Sequence, residues 1–242
     1  MKWNDEGLLL ATKPYGENSQ IVEVFTSRHG RHLGMVKGMS LKKNIAIFQP
    51  GTQLNLTWSA RLNEHLGIFT LDPIKIRASE LIRDKLRLSG FNSMVSLILK
   101  TLPERESVNE FYKKTILLLD SNENNQNWVR LYLIWELFLL QELGYGLDLS
   151  KCVVTGTQQD LIYVSPKSGR AVSKGAGENW KNKLLRLPTF LNYKESICSD
   201  SFGGIVDGFE LTGYFLTKLF RNSLDIESLP KARARFFASI NN

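Results

Sequence analysis

The chain has 242 residues, and lysine and arginine outnumber aspartate and glutamate by 31 to 24, which gives a formal net charge of +7. Hydrophobic residues make up 43% of the sequence and charged residues 23%, a balance that is typical of globular proteins and excludes a disordered chain. The longest apolar stretch, 129–140, contains Arg130 and Glu136 and is too short to cross a bilayer. Two cysteines are too few for a disulfide framework, so we expect a protein of the reducing cytoplasm.

The first 77 residues predict a small β-barrel. Five short runs rich in strand-forming residues lie between turn residues, at 7–13, 19–26, 31–37, 52–58 and 66–77. In the fourth run Leu54, Leu56 and Trp58 alternate with polar residues, as they would on one face of a strand. Five short strands are typical of an OB-fold, which we predict for residues 1–77, although a five-stranded SH3-like barrel gives a similar pattern.

From Ala78 the apolar residues recur with the period of an α-helix, which predicts a mostly helical domain over 78–242. The helix near 128–140 is apolar on nearly every side, so we expect it to be central and buried. Residues 150–177 predict a small hairpin insert within this domain. The fold class is therefore α+β, with an N-terminal five-stranded barrel followed by helices.

The chain shows no signature of catalysis. It has no Walker A pattern, no GxSxG elbow and only three histidines. Acid pairs such as Glu104 with Glu106 stand beside basic residues, which favours a solvated surface over a two-metal nuclease site. For His29 and His32 a turn or phosphate contact is favoured over a metal site, because no cysteine or paired carboxylate stands nearby. We therefore predict a protein that is not an enzyme and has no cofactor.

The forty residues between Glu23 and Glu64 contain no acidic side chain. The basic side chains of this window are Arg28, Arg31, Lys37, Lys42, Lys43 and Arg61. Such cations neutralise phosphates and release counterions, which gives affinity for nucleic acid without reading the bases. We predict that these six contact phosphate, with a merely solvated surface as the competing interpretation. The same sequence leaves open whether Phe25, Phe48 and Trp58 stack on bases or pack the core.

The last predicted helix, 231–240, carries three further basic residues. They are Lys231, Arg233 and Arg235. We predict that they extend the phosphate-binding track, although a basic helix end is commonly only solvated.

Six short motifs follow one another along nearly the whole chain. They are Lys13-Pro14-Tyr15-Gly16-Glu17-Asn18-Ser19, Phe25-Thr26-Ser27-Arg28-His29-Gly30-Arg31, Val36-Lys37-Gly38, Gln49-Pro50-Gly51, Leu102-Pro103-Glu104-Arg105-Glu106 and Glu142-Leu143-Gly144-Tyr145-Gly146-Leu147-Asp148. In this order they resemble the RecO family of DNA repair proteins.

The resemblance implies an OB domain on a helical domain, binding of single- and double-stranded DNA, and annealing of complementary strands. It also implies work with RecR and sometimes RecF, and contact with the C-terminal tail of the single-stranded-DNA-binding protein SSB, so that the recombinase RecA can load. The resemblance implies that the RecO-like protein itself needs no ATP for these tasks. The main alternative is an RNA-binding OB-fold protein of the translation apparatus, because the residues do not separate RNA from DNA. An interaction scaffold and a cryptic nuclease are further alternatives.

The hairpin insert departs from the pattern that the resemblance implies. Many RecO relatives hold zinc there with two CxxC pairs. Here the first pair reads Cys152-Val153-Val154-Thr155, and the second falls at Ser173-Lys174-Gly175-Ala176. The second cysteine of the chain, Cys198, lies outside the pattern. Because tetrahedral zinc needs all its ligands, we predict a degenerate zinc-ribbon-like hairpin without metal.

A colorimetric zinc assay on the purified protein checks this expectation. We expect no stoichiometric zinc, since one thiolate of four is too few to hold the ion. One equivalent of bound metal would contradict the prediction.

Overall fold

The structure is a computed structural model that describes residues 1–37, 48–191 and 202–240. The chain forms two compact units, Met1–Lys114 with the last residues from Ala238, and Thr115–Phe237. The predicted domains, 1–77 and 78–242, divide the chain by type of secondary structure and stay predictions. Among the described residues no helix is both long enough and apolar enough to span a bilayer.

The first unit begins with the predicted barrel. Its strands are β1 (Lys2–Tyr15), β2 (Ser19–Thr26), β3 (Gly30–Lys37), β4 (Gln53–Ser59) and β5 (Ile68–Lys75). They close in the order β1-β2-β3-β5-β4, with β3 parallel to β5 where Met35 meets Ile68 and the other pairs antiparallel. The predicted five-stranded OB-fold is confirmed.

Strand β1 is 14 residues long, about twice the predicted run. Its first half pairs with β4 from Lys2 to Leu8, and its second half pairs with β2 from Gly7 to Tyr15. A register shift between Leu9 and Ala11 lets one strand serve both neighbours. The first residues of β1 are mostly polar, so a search for apolar runs does not detect this part of the strand.

The barrel interior is filled by alternate side chains from all five strands, as the strand period requires. The buried cluster is Leu9, Val22, Val24, Val36, Phe48, Leu54, Leu56, Trp58, Phe69 and Leu71. Phe25 is also buried, with its ring 6.0 Å from that of Phe111 and 5.4 Å from that of Tyr112. The three aromatics whose role the sequence left open therefore pack the core.

Three helices follow the barrel: α1 (Ala78–Arg83), α2 (Lys85–Thr101) and α3 (Asn109–Leu119). The helical period of apolar residues that begins at Ala78 belongs to two helices, because the structure breaks the helix at Asp84. Asp84 has an extended backbone, and its carboxylate accepts a hydrogen bond from the Arg87 amide at 3.0 Å. It is thus the N-cap of α2, which an aspartate favours.

The second unit contains α4 (Asn125–Glu142), α6 (Phe202–Ser223) and α7 (Lys231–Ile240). The expected central helix is α4, which buries nine side chains. Between its helices lies the small sheet of β6 (Leu161–Val164), β7 (Ala171–Ser173) and β8 (Leu185–Arg186), in the order β7-β6-β8. The hairpin predicted at 150–177 forms, and the third strand extends the sheet beyond it. Short helices join β7 to β8, namely α5 (Lys174–Gly177) and a 3₁₀ helix, Glu178–Lys183.

A buried ion pair ties the helices of the second unit together. The Glu136 carboxylate is wholly buried and accepts hydrogen bonds from Arg233 at 2.7 and 2.9 Å. It also accepts from the hydroxyls of Thr212 at 2.6 Å and Tyr132 at 2.8 Å. The expectation that Arg233 extends a phosphate-binding track is wrong, because its charge is buried against α4 and α6.

Arg233→Ala is expected to destabilise the protein by about 3–5 kcal/mol, because it leaves the buried Glu136 carboxylate without its cation. Equilibrium unfolding in urea measures this. The matched control is Arg235→Ala on the exposed side of α7, which should stay within about 0.5 kcal/mol of the parent protein. Similar losses from both variants would contradict a role for the ion pair.

Candidate nucleic-acid interface

Four of the six predicted phosphate ligands lie within the described residues, and their surroundings differ. Arg28 lies in the turn between β2 and β3, where its side chain is 64% exposed. Its guanidinium donates to the Asp5 carboxylate at 3.2 Å and to the Asn4 carbonyl. The Asp5 carboxylate therefore offsets part of the Arg28 charge, and a phosphate would have to compete with Asp5 for the guanidinium.

Asp5 organises the whole β2–β3 turn. Its carboxylate accepts from the backbone amides of Glu6 at 2.9 Å and Arg28 at 2.8 Å, and it lies 2.9 Å from Nδ1 of His29. Burial acts to raise the pKa of Asp5, but the hydrogen bonds from His29 and these amides outweigh it and lower the pKa. The favoured turn contact of His29 is thus observed, through a carboxylate contributed by β1.

His32 is a core residue. It is buried, its ring packs edge-on against Trp58 at 5.0 Å, and Nδ1 lies 2.9 Å from the Leu33 carbonyl oxygen. Burial lowers the pKa of His32. Neither histidine joins a group of three metal-ligating side chains among the described residues.

The Arg31 side chain is bonded mainly to other residues of the first unit. Its side chain is only 15% exposed, and Nε donates to the Leu102 carbonyl at 3.0 Å. Its guanidinium also pairs with Glu23 and lies 3.7 Å from Glu104. The segment between Glu23 and Glu64 has no acids in sequence, but folding brings acids from other segments next to its arginines. Asp5 lies beside Arg28, and Glu23 and Glu104 lie beside Arg31.

Lys37 and Arg61 are the two predicted cations that remain exposed with no ion pair or hydrogen bond among the described residues. Lys37 ends β3, and Arg61 lies in the loop between β4 and β5. Lys42 and Lys43 lie outside the described residues. That any of the six contacts phosphate stays a prediction.

The strand register brings further groups to the outer surface near Lys37. One row across four strands runs Lys13, Ile21, Met35 and Ile68, and the next runs Tyr15, Ser19 and Lys37. Lys13 is exposed, and the Tyr15 side chain is 56% exposed. We call the outer surface of these two rows the β2–β3 face. Lys13 and Tyr15 were not among the predicted site residues, because only the pairing of β1 with β2 shows that they neighbour Lys37.

A groove of about 490 Å³ continues this face at the loop between β4 and β5. Its lining includes Met35, Ala60, Arg61, His65, Leu66 and Ile68. Leu66 and Ile68 expose apolar surface here, while Arg61 and His65 contribute polar, basic groups. An apolar floor beside a cation suits an unpaired base attached to a phosphate.

The β4–β5 loop is fixed before any ligand arrives. The Trp58 indole N–H donates to the Leu66 carbonyl at 3.0 Å, and the Met35 amide donates to the Gly67 carbonyl at 3.0 Å. On the loop's other side, the Arg105 guanidinium donates to carbonyls of residues 63–65, including that of His65 at 3.1 Å. A loop held at both sides loses little freedom on binding.

The wall formed by β1, β4 and β5 has the opposite character. A second cavity, of about 510 Å³, is lined there by polar groups that include Asp5, Glu6 and Asp72, together with Arg28, whose guanidinium is paired with Asp5. Glu6, Asn55 and Asp72 stand opposite one another across the three strands. Carboxylates at these positions repel phosphate, so the charge pattern favours the β2–β3 face as the nucleic-acid surface.

The insert of the second unit does not fit zinc. Cys152 is buried, and its sulfur accepts from the Ser173 amide at 3.3 Å and the Ser173 hydroxyl at 3.4 Å. Serine thus stands beside the remaining thiol where the implied pattern has a second CxxC pair, and a neutral hydroxyl is a poor zinc ligand.

A closed barrel of this strand order, with a helical unit carrying a small β insert, makes the chain an OB-fold protein with a helical second half. Residues 1–77 match the family model described as recombination protein O N terminal, and residues 82–217 match recombination protein O C terminal. The DNA repair protein RecO of Roseobacter denitrificans is 47% identical over 237 residues, covering 98% of this chain and 97% of that protein. The corresponding protein of Rhodopseudomonas palustris is 43% identical, covering 99% of this chain and 96% of that protein. The chain belongs to the RecO family, and the resemblance stated above is confirmed.

Gly67→Ala is expected to displace the β4–β5 loop from its packing against Trp58 and to lower the free energy of unfolding. A Cβ there would lie 2.2 Å from Nε1 of Trp58, and the residue has φ of +70°. Gly16→Ala is the matched control, since Gly16 has φ of +64° with nothing within 4 Å of the added carbon. The backbone strain of about 1–2 kcal/mol is common to both, and overpacking adds about 1–3 kcal/mol at Gly67 alone. Equal losses in urea unfolding would contradict tight packing of this loop on Trp58.

Proposed function

We propose that this chain is a DNA-binding recombination mediator in DNA repair. In this role it binds single- and double-stranded DNA, anneals complementary strands and helps load RecA onto DNA coated with SSB. The observation that carries the proposal is family membership along nearly the whole chain, whose relatives bear the name DNA repair protein RecO. The β2–β3 face supports it with cations beside apolar and aromatic surface.

The mechanism that follows is electrostatic. Two DNA strands repel each other through their phosphates, and a cationic surface lowers this repulsion by neutralising charge and releasing counterions. In this mechanism Lys13 and Lys37 of the β2–β3 face and Arg61 of the adjoining groove contact phosphates, and their exposure on neighbouring strands and in the β4–β5 loop supports this. Tyr15 and the groove beside Arg61 offer surfaces for unpaired bases, which stack without sequence preference. Base pairing between the strands then supplies the specificity.

The partners of this role are RecR, in some cases RecF, and the C-terminal tail of SSB. The protein acts in the cytoplasm without a cofactor and without catalysing a chemical step. Incubation of DNA with the protein and Mg²⁺ or Mn²⁺ should leave the strands uncut. The RNA-binding alternative receives no support from the family match, and competition between matched DNA and RNA oligomers tests it directly.

The double variant Lys37→Gln/Arg61→Gln tests the β2–β3 face. Each lost phosphate contact should reduce the slope of log affinity against log salt by about one, so the double variant should lose about two. Affinity should fall similarly for oligonucleotides of different sequence, because no base is read. Fluorescence anisotropy over a salt series measures both effects.

Lys113→Gln provides the control, because Lys113 is an exposed lysine of α3 whose charge is paired with Glu110 at 2.7 Å. It removes one positive charge away from the face and should leave the salt slope unchanged. The parent protein should also anneal complementary oligonucleotides coated with SSB. An unchanged slope in the double variant would refute the assigned face, and a parent protein that neither binds nor anneals DNA would refute the function.

A further inference from the structure

The second unit has a basic segment of its own. Residues 151–186 contain seven basic side chains against two acidic ones, which gives this segment a net charge of +5. The basic ones are Lys151, Lys167, Arg170, Lys174, Lys181, Lys183 and Arg186. Arg170 is paired with Asp148 at 3.3 Å and Lys181 with Glu178 at 3.1 Å, so the excess belongs to the others. A surplus of this size favours a polyanionic ligand.

An exposed tryptophan lies within this segment. Trp180, in the 3₁₀ helix Glu178–Lys183, is 58% exposed. The other four tryptophans are buried or half-buried. The Lys183 ammonium lies 5.4 Å from the centre of the Trp180 ring. A large aromatic surface left in water beside a cation is the combination that proteins use to hold unpaired bases.

The platform under Trp180 is rigid. Gly177 immediately precedes the 3₁₀ helix, and a Cβ there would lie 2.5 Å from the Tyr163 ring of β6. The Arg186 guanidinium packs 5.1 Å from the centre of the same ring, and β8 pairs with β6 at this residue. The 3₁₀ helix that carries Trp180 is thus packed against the small sheet, whose strand β8 carries the exposed Arg186.

We propose that this segment is a second binding site for single-stranded DNA, in which Trp180 stacks on an unpaired base and Lys183 and Arg186 neutralise the adjoining phosphates. The inference rests on the proposed function and deepens it. Annealing brings two strands together, and the proposed β2–β3 face offers a surface for one of them. A site on the second unit provides a separate place for the complementary strand.

Intrinsic fluorescence of the full-length protein reports this contact directly. Oligothymidylate should quench the emission of the parent protein, because Trp180 is the most exposed of the five tryptophans and stacking quenches its fluorescence. Trp180→Phe should lose most of this quenching but keep annealing activity, since phenylalanine still stacks. Trp180→Ala should lower the annealing rate on bare complementary oligonucleotides by at least about fivefold, the loss expected for one stacked base.

Tyr214→Ala is the control, because Tyr214 is an exposed aromatic residue of the same unit that lies outside the segment. It should leave quenching and annealing unchanged, and thermal unfolding should show that all variants are folded. If the parent protein anneals but Trp180→Ala anneals equally well, the second site is refuted while the proposed function stands. If Trp180→Ala fails only on SSB-coated strands, the segment binds a protein instead, and the proposal is again refuted. A parent protein that shows neither binding nor annealing refutes both.

Discussion

Carboxylates that are buried in this protein must be matched by cations, and this requirement decides which basic residues remain for a ligand. Glu136 is paired with Arg233. Asp5 is paired with part of Arg28, accepts a hydrogen bond from the Arg28 amide and lies 2.9 Å from Nδ1 of His29. Leaving such a carboxylate unpaired costs several kcal/mol, whereas an exposed ion pair contributes about 1 kcal/mol or less. Folding therefore takes up the charges of Arg31 and Arg233, and the cations that remain for DNA are exposed lysines together with exposed arginines such as Arg61 and Arg186.

The barrel could be predicted from sequence because its strands alternate between core and surface, and Leu54, Leu56 and Trp58 all point inward as expected. The full length of β1 could not, since its residues at 4–6 are polar and are held by pairing with β4 instead of by burial of apolar groups. The period of a pattern shows which way a side chain faces but not which strand lies beside it. The helix break at Asp84 could not be predicted either, because a single capping residue barely disturbs the helical period of the apolar residues.

For the candidate site, too, the sequence predicted the type of surface but not which residues are neighbours in space. A window free of acids along the sequence indicated a cationic surface, yet Glu23 and Glu104 approach Arg31 through strand pairing and through the return of the chain after α2. Lys13 and Tyr15 belong to the β2–β3 face only because β1 lies beside β2 in a particular register. Family membership, in contrast, was visible in the order of short motifs, which requires no knowledge of spatial neighbours.

The double pairing of β1 has a consequence for how the protein emerges from the ribosome. Residues 2–8 of β1 pair with residues 53–59 of β4, so the barrel cannot close until β4 has been synthesised. An open meander of β1, β2 and β3 would leave the outer edge of β1 unpaired, and an unpaired strand edge favours association with other chains. The charged and polar residues Lys2, Asn4 and Glu6 on that waiting edge oppose such association, so the features that made the strand hard to recognise protect the nascent chain.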